Sequence, residues 1–506
     1  MNPPARCDLI ARCLVLAAFG ACMSVACGGG VQATTAPDAS ESTNAPDATN
    51  RASTGPSADS AVDFGAEAEA NAASGDDAGL QDGTLSVTPA DSEASVPFCN
   101  ILACSVPTGC TTSLSGTVYD PAGRVPLYNA VVFVPANPMN PLPPITTGAK
   151  SCASCGAIIG QYIAVAATDV TGHFRITGVP ATTHVPLVVQ VGKWRREVFL
   201  DQVSACVDNP VPPALSRLPR NQSEGDLPQL AVVTGGCDDI GCFMRSIGID
   251  ASEFSAPHQG GRLDVYRGGA GTAIAPGLST GTAGDCTGSA CPLWSTKANL
   301  EYYDLVLMGC ECGETLANKP ATSVQAVHDW LDEGGRVLAT HSHYTWFKNG
   351  PADFQGVATW LGASTETGSG NYNVDTSSPK GQVLHDWLGL TGVGFPISGV
   401  GDSVSSVTPP TQRWIYDPAS AASDTKVMSF QTPVVGISPE AGYSLYCGKA
   451  VFSDVHAGAS PSGDIPGACS GGPLTESEKA LEFFLFDSSV CVPSSGQPPP
   501  GSCRCP

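Results

Sequence analysis

The chain has 506 residues, enough for two or three domains, and its 47 acidic against 24 basic residues give a formal charge of −23. That balance excludes nucleic acid as a natural partner, because a polyanion needs a basic face to bind. The 21 cysteines point to an oxidising compartment and away from the reducing cytosol.

At the N-terminus, Arg6 and Arg12 precede the apolar run Cys13–Ala26. That run is too short to span a membrane and has the form of a signal-peptide core, so residues 1–26 are expected to be a signal peptide. It closes on Ser24-Val25-Ala26-Cys27 and three glycines, which resembles the bacterial lipobox, with Ser24 where leucine is usual. The resemblance implies lipidation of Cys27, with Cys22 as a competing position, and an exported lipoprotein of the outer membrane or cell surface, a periplasm-facing placement remaining open. Its partner would be the membrane, through one lipid anchor. Residues 27–98 are expected to be a disordered acidic linker. From 31 to 96 they hold twelve acidic residues against the single Arg51 and almost no large apolar side chains. Such a segment cannot bury enough apolar surface to offset its ordering entropy.

Residues 99–216 read as a first domain of short antiparallel strands: Leu114–Asp120, Ala130–Val134, Ile163–Thr168, His173–Ile176 and Val185–Val191, with turns at Pro121-Ala122-Gly123 and Asp169–Gly172. This is the pattern of an all-β sandwich. The stretches SGTVYDPAGRVPLYNAVVFV (Ser115–Val134) and TDVTGHFRITGVP (Thr168–Pro180) resemble the carboxypeptidase regulatory-like family, small transthyretin-like or starch-binding-like sandwiches that are usually accessory modules. Trp194, among Lys193, Arg195 and Arg196, is a candidate sugar-stacking face or a packed edge residue. Cys152 and Cys155 lack the second pair that a zinc site needs, so a local disulfide is expected.

A linker is expected at 217–229, and residues 230–491 read as an α/β domain. Leu230–Thr234 is a buried-type strand, Gly235-Gly236 turn it, and Asp238 is placed to cap the next helix. Leu263–Tyr266 reads as a second strand and Ala270–Pro292 as loop. The clearest unit follows. Asp304–Met308 is an apolar strand, and Ser323–Asp332 is a helix with Val324, Val327 and Leu331 on one face. Gly334-Gly335 stop that helix, and Arg336–Thr340 is a strand ending in His341-Ser342-His343. Asp353–Leu361 and Gln382–Leu388 read as helices, and Lys426–Phe430 and Lys449–Ser453 as strands. Thr475 to Glu478 is a capping box opening the last helix, and a Pro-rich tail, 492–506, ends the chain.

The YDLVLM strand, the DEGGRVLATH helix end and the GKAVFSDVHAG strand end resemble the class I glutamine-amidotransferase-like fold, in its ThuA-like branch. The resemblance implies a flavodoxin-like sheet. It does not carry the amidotransferase nucleophile: where that family has cysteine in G-x-C-x-G, this chain has Ala339-Thr340-His341-Ser342-His343, while Gly309–Gly313, GCECG, belongs to the preceding loop. The two-domain arrangement also resembles a set of myxobacterial-type lipoproteins. These are sometimes labelled tryptophan synthase alpha chain, a label the sequence does not support, since it has no run of eight βα repeats.

In such a sheet the loops Gly235–Asp239, Gly309–Glu314, His341–Tyr344 and Asp454–His456 converge at the carboxyl edge, where open α/β sheets bind ligands. They offer His341, Glu311 and Asp454 as candidate catalytic groups, and His341, His343 and His456 as candidate metal ligands, for which zinc is the candidate ion. His341 and His343, two apart, would point the same way in an extended strand. Three readings stand open: a metal-assisted hydrolase or sugar-modifying enzyme in the ThuA-like manner; a fold whose histidines are merely hydrogen-bonded; and a glycan pocket using Tyr344 and Trp346. The leading expectation is a lipid-anchored envelope binding protein, for which a glycan is the candidate ligand, without catalysis. A triad on Ser342 lacks the G-x-S-x-G elbow. Close spacing suggests disulfides at Cys237/Cys242, Cys286/Cys291 and, across a longer loop, Cys447/Cys469. Seventeen cysteines follow Cys27, so at least one thiol stays free or pairs between chains.

Overall fold

A computed structural model of the protein describes residues 102–136, 142–148, 161–271, 274–278, 284–288, 291–362, 368–392, 394–420, 424–434, 446–458 and 464–489. They belong to one compact unit, Ala78–Pro506. The signal segment, Cys22, Cys27, the acidic linker, Cys152, Cys155 and the Pro-rich tail lie outside the described residues. Among the described residues, no helix is long and apolar enough to cross a membrane.

The architecture is mostly β-sheet with few helices. The first seven strands are β1 (Ser113–Thr117), β2 (Val131–Pro135), β3 (Tyr162–Ala167), β4 (His173–Thr177), β5 (Thr183–Val191), β6 (Trp194–Gln202) and β7 (Asp208–Pro210). They form two small sheets, ordered β4-β1-β7 and β3-β2-β5-β6. Leu114, Val132, Val134, Phe174, Ile176, Leu187 and Val189 are buried in one shared core, the alternation of β1, β2 and β4 sending these side chains inward. A disulfide, Cys110–Cys206, closes the first sheet's edge.

A large mixed sheet follows. Its parallel part consists of β8 (Leu230–Thr234), β9 (Phe254–Ser255), β10 (Leu263–Arg267), β11 (Leu305–Met308), β12 (Arg336–Thr340) and, much later in the chain, β19 (Gly448–Ser453), in the spatial order β19-β12-β11-β8-β10-β9. The central residues Ala231–Val233, Leu305–Met308, Val337–Ala339 and Ala450–Phe452 are apolar because both faces are covered. Val232, Leu307, Leu338 and Val451 join the core that also holds the first two sheets and helix α7 (Glu476–Ser489). Val233, Val306, Ala339 and Phe452 face helix α3 (Ala321–Asp332) through Val324, Val327 and Trp330. Gly334, at φ 113°, ends α3 in a conformation that costs other residues strain. Antiparallel strands extend the other side: β14 (Gly370–Val374), β15 (Gly394–Ile397), β17 (Gln412–Tyr416) and β18 (Thr425–Thr432), ordered β15-β14-β17-β18-β19.

Several expectations are corrected. The helix expected at Asp353–Leu361 stops at Gln355, because Gly356 follows; Ala358–Trp360 is instead a strand pairing with Val404–Val407. Ion pairs hold residues 217–226. Arg217 holds Glu224 at 2.7 and 2.8 Å, Arg220 joins them, and Arg195 reaches Asp226 at 2.8 Å. Asp239 rather than Asp238 caps the first helix, accepting the Cys242 N–H at 2.9 Å. Thr475 and Glu478 do form the reciprocal cap, at 2.8 and 3.2 Å.

The disulfides follow the fold more than the spacing. Cys286–Cys291 is local. Cys237 reaches across the sheet edge to Cys312, and Cys242 to Cys469, 227 residues away. Neighbouring strands bring these loops together whatever their separation in sequence. Cys447 is also disulfide-bonded. Cys310 is the free thiol among the described residues, and it is buried.

Candidate functional site

Strands β8, β11, β12 and β19 lie side by side and parallel, in register from Val233 opposite Met308 to Thr340 opposite Ser453. Their following loops therefore emerge at one edge, as the parallel arrangement requires.

Asp238 ties these loops together. Its carboxylate is fully buried and accepts the Thr340 hydroxyl at 2.5 Å, the Ala457 N–H at 2.5 Å and, more distantly, the Cys310 N–H at 3.5 Å. One side chain thus reaches the ends of β11, β12 and β19. Burial raises its pKa, against the field of His456. The Cys237–Cys312 bridge adds a covalent link between the loops after β8 and β11.

Within this frame, one ligand atom each from Cys310, His341 and His456 lies within 4.8 Å of the others. Cys310 Sγ is 3.0 Å from His341 Nδ1, and the His341 and His456 rings are 4.8 Å apart, centre to centre. Burial pushes the Cys310 thiol up. Cys310 and His456 are buried, while His341 is partly exposed and marks the side facing solvent. Asp454 stands behind His341. It accepts the Ser403 N–H at 2.8 Å and hydroxyl at 2.7 Å, and burial raises its pKa to about 6 against the His341 field. Gly401 closes the cluster: a Cβ there would fall 2.6 Å from His341 Nε2 and 2.9 Å from Asp454 Oδ1, so only glycine lets that backbone pass.

His343 is not part of this cluster, which corrects the expected set of three histidines. The extended geometry assumed for His341 and His343 does not occur. His341 adopts φ 41°, a left-handed conformation unusual for a residue with a side chain, and the chain turns at once into a short helical stretch. His343 is therefore swung into the protein, fully buried, with Nε2 3.0 Å from the Gly309 carbonyl and Nδ1 accepting the Trp346 indole N–H at 3.0 Å. Both ring nitrogens are used, and burial lowers its pKa to about 4, so it is neutral.

Glu311 has a structural place. It is buried in an ion pair with Lys319, and its other oxygen accepts the Gly269 N–H at 2.8 Å and the Asn318 amide at 3.1 Å. Burial raises its pKa, but His343 and Lys319 outweigh that and hold it below the usual range. Trp194, Tyr344 and Trp346 are all buried: Trp194 packs edge-on against Phe486, and Trp346 against Trp294. None offers an open face to a sugar.

Two further groups have metal-ligand spacing. Asp239, Cys242 and Cys469 include a disulfide, which removes both thiolates. His328, Asp332 and Asp353 form a half-exposed ion-paired cluster between α3 and the short helix Ala352–Gln355.

No protein family profile and no curated protein matches this chain. Among solved structures, a cytoplasmic protein from Salmonella typhimurium aligns at 11% identity over 51% of this chain and 98% of its own, with a TM-score of 0.29.

Proposed function

We propose that this protein is an exported, lipid-anchored envelope protein whose C-terminal part binds a divalent metal ion of the zinc class and uses it for hydrolysis. The observation carrying this reading is the convergence of Cys310, His341 and His456 at the carboxyl edge of four parallel strands. The donor set fits: thiolate and imidazole are zinc ligands, and three protein ligands leave a position for water, as catalytic sites do. Asp454 and Asp238 sit where carboxylates orient ligating histidines. A zinc-class ion there would supply a Lewis acid and a source of hydroxide at neutral pH. Cys310, once deprotonated, would offset the ion's charge, and the half-exposed His341 would face substrate.

The finer fold reading belongs with this proposal. The two small sheets have the strand count of a carboxypeptidase regulatory-like sandwich acting as an accessory module. The parallel strands with helices on both faces suit a flavodoxin-like, ThuA-like sheet. The disulfides suit an exported chain. The alternative of a glycan-binding protein without catalysis loses its three named aromatic residues to the core.

The test is hydrolysis of a panel of ester, peptide and glycoside substrates by the full chain, folded oxidatively with zinc. Activity abolished by a chelator, restored by zinc and missing in His456→Ala supports the proposal. Activity that survives chelation rejects the metal-assisted mechanism, and no activity from a metal-loaded protein on any class rejects the hydrolase.

A further inference from the structure

The first sheet meets the last helix at a second buried acidic centre. Asp120 follows β1, and Glu482 lies in the middle of α7; both are fully buried. Asp120 Oδ1 accepts the Arg124 and Val125 N–H groups at 2.7 and 3.2 Å, ordering the turn. Its other oxygen, and both oxygens of Glu482, receive no hydrogen bond from any protein donor. Yet the two carboxyl groups lie within hydrogen-bond reach of each other.

Two carboxylates in contact cannot both be ionised in an apolar interior without a cation. The cations facing this pair are engaged elsewhere. Arg124, from the turn, gives its guanidinium to the Ser246 and Gly471 carbonyls at 2.5 and 3.2 Å. Lys479, on α7 itself, bonds Glu476 at 2.8 Å. The missing donor is then a proton.

We propose that Asp120 and Glu482 share one proton in a buried carboxyl–carboxylate hydrogen bond, a latch that fastens the N-terminal sheets to the last helix and weakens as pH rises. Burial raises both groups, Asp120 to about 6 and Glu482 well above its ordinary value, and the neighbouring Asp120 raises Glu482 further. The sign follows. The folded chain holds a proton that the unfolded chain releases from about pH 4 upward, so stability is greatest below that range and falls as pH rises through about 6 and beyond. The latch stands apart from the metal reading, since neither residue touches that cluster.

Infrared difference spectroscopy of the full chain at neutral pH tests this directly. The latch gives a protonated carboxylic carbonyl band that Glu482→Gln removes. In parallel, the urea midpoint of the wild type should fall between pH 5 and about 8, and Glu482→Gln should flatten that slope, because its amide supplies a permanent donor. Asp120→Asn serves as the second variant if Glu482→Gln does not fold. Absence of the carbonyl band in the wild type, or equal pH slopes in wild type and a folded variant, would overturn the proposal.

Discussion

Two clusters, each carrying histidine, lie side by side at the edge of the large sheet, and they have opposite characters. In Glu311, Lys319 and His343, every polar atom is used within the protein: carboxylate against ammonium and amides, imidazole between a carbonyl and an indole. In Cys310, His341 and His456, the donor atoms are turned toward one another, with carboxylates behind and one ring toward solvent. The first cluster is a clamp that holds the loops; the second is a preformed set of ligands. Histidines two positions apart thus take unrelated roles, and the difference lies in how their hydrogen bonds are satisfied.

That contrast can be broken by substitution. Lys319→Met should have the largest effect. It leaves Glu311 charged and unpaired in the interior, which costs about 3–5 kcal/mol in urea unfolding, and any folded fraction should keep its metal affinity. Zinc at a hundredfold excess over its dissociation constant should stabilise the wild type by about 2.7 kcal/mol. The same titration of Cys310→Ser should give almost none of that gain. His343→Phe should lose about 1–3 kcal/mol for the orphaned Gly309 carbonyl and Trp346 N–H, while the response to zinc persists. If His343→Phe and Cys310→Ser lose that response together, the division into clamp and ligand set fails. Thr475→Ala, at the N-terminus of α7, should cost only about 1 kcal/mol of cap energy and should leave the response to zinc unchanged.

The large sheet was legible where the signal was local. Asp304–Met308, the α3 stripe and Arg336–Thr340 each follow from apolar spacing, and the four strand-end loops follow from parallel order. What sequence spacing missed depends on tertiary geometry. The left-handed turn at His341 reverses the relation between His341 and His343, and nothing in the residue type announces it. Cys310 stands two residues from Cys312 in the GCECG loop, but Cys312 crosses to Cys237, leaving the Cys310 thiol beside His341. The odd number of cysteines after Cys27 was the one available signal for such a thiol, without saying which. Trp194, Tyr344 and Trp346 were ambiguous between stacking face and core, and packing decides for core. The buried pair Asp120 and Glu482, 362 positions apart, had no sequence signature at all.

The most direct test of the ligand assignment is the metal content of the oxidatively folded full chain, measured by elemental analysis beside His456→Ala and His343→Phe. We expect close to one equivalent of zinc in the wild type and in His343→Phe, and almost none in His456→Ala. A folded wild type that takes up no metal, or a His456→Ala variant that binds as much as the wild type, would contradict the account.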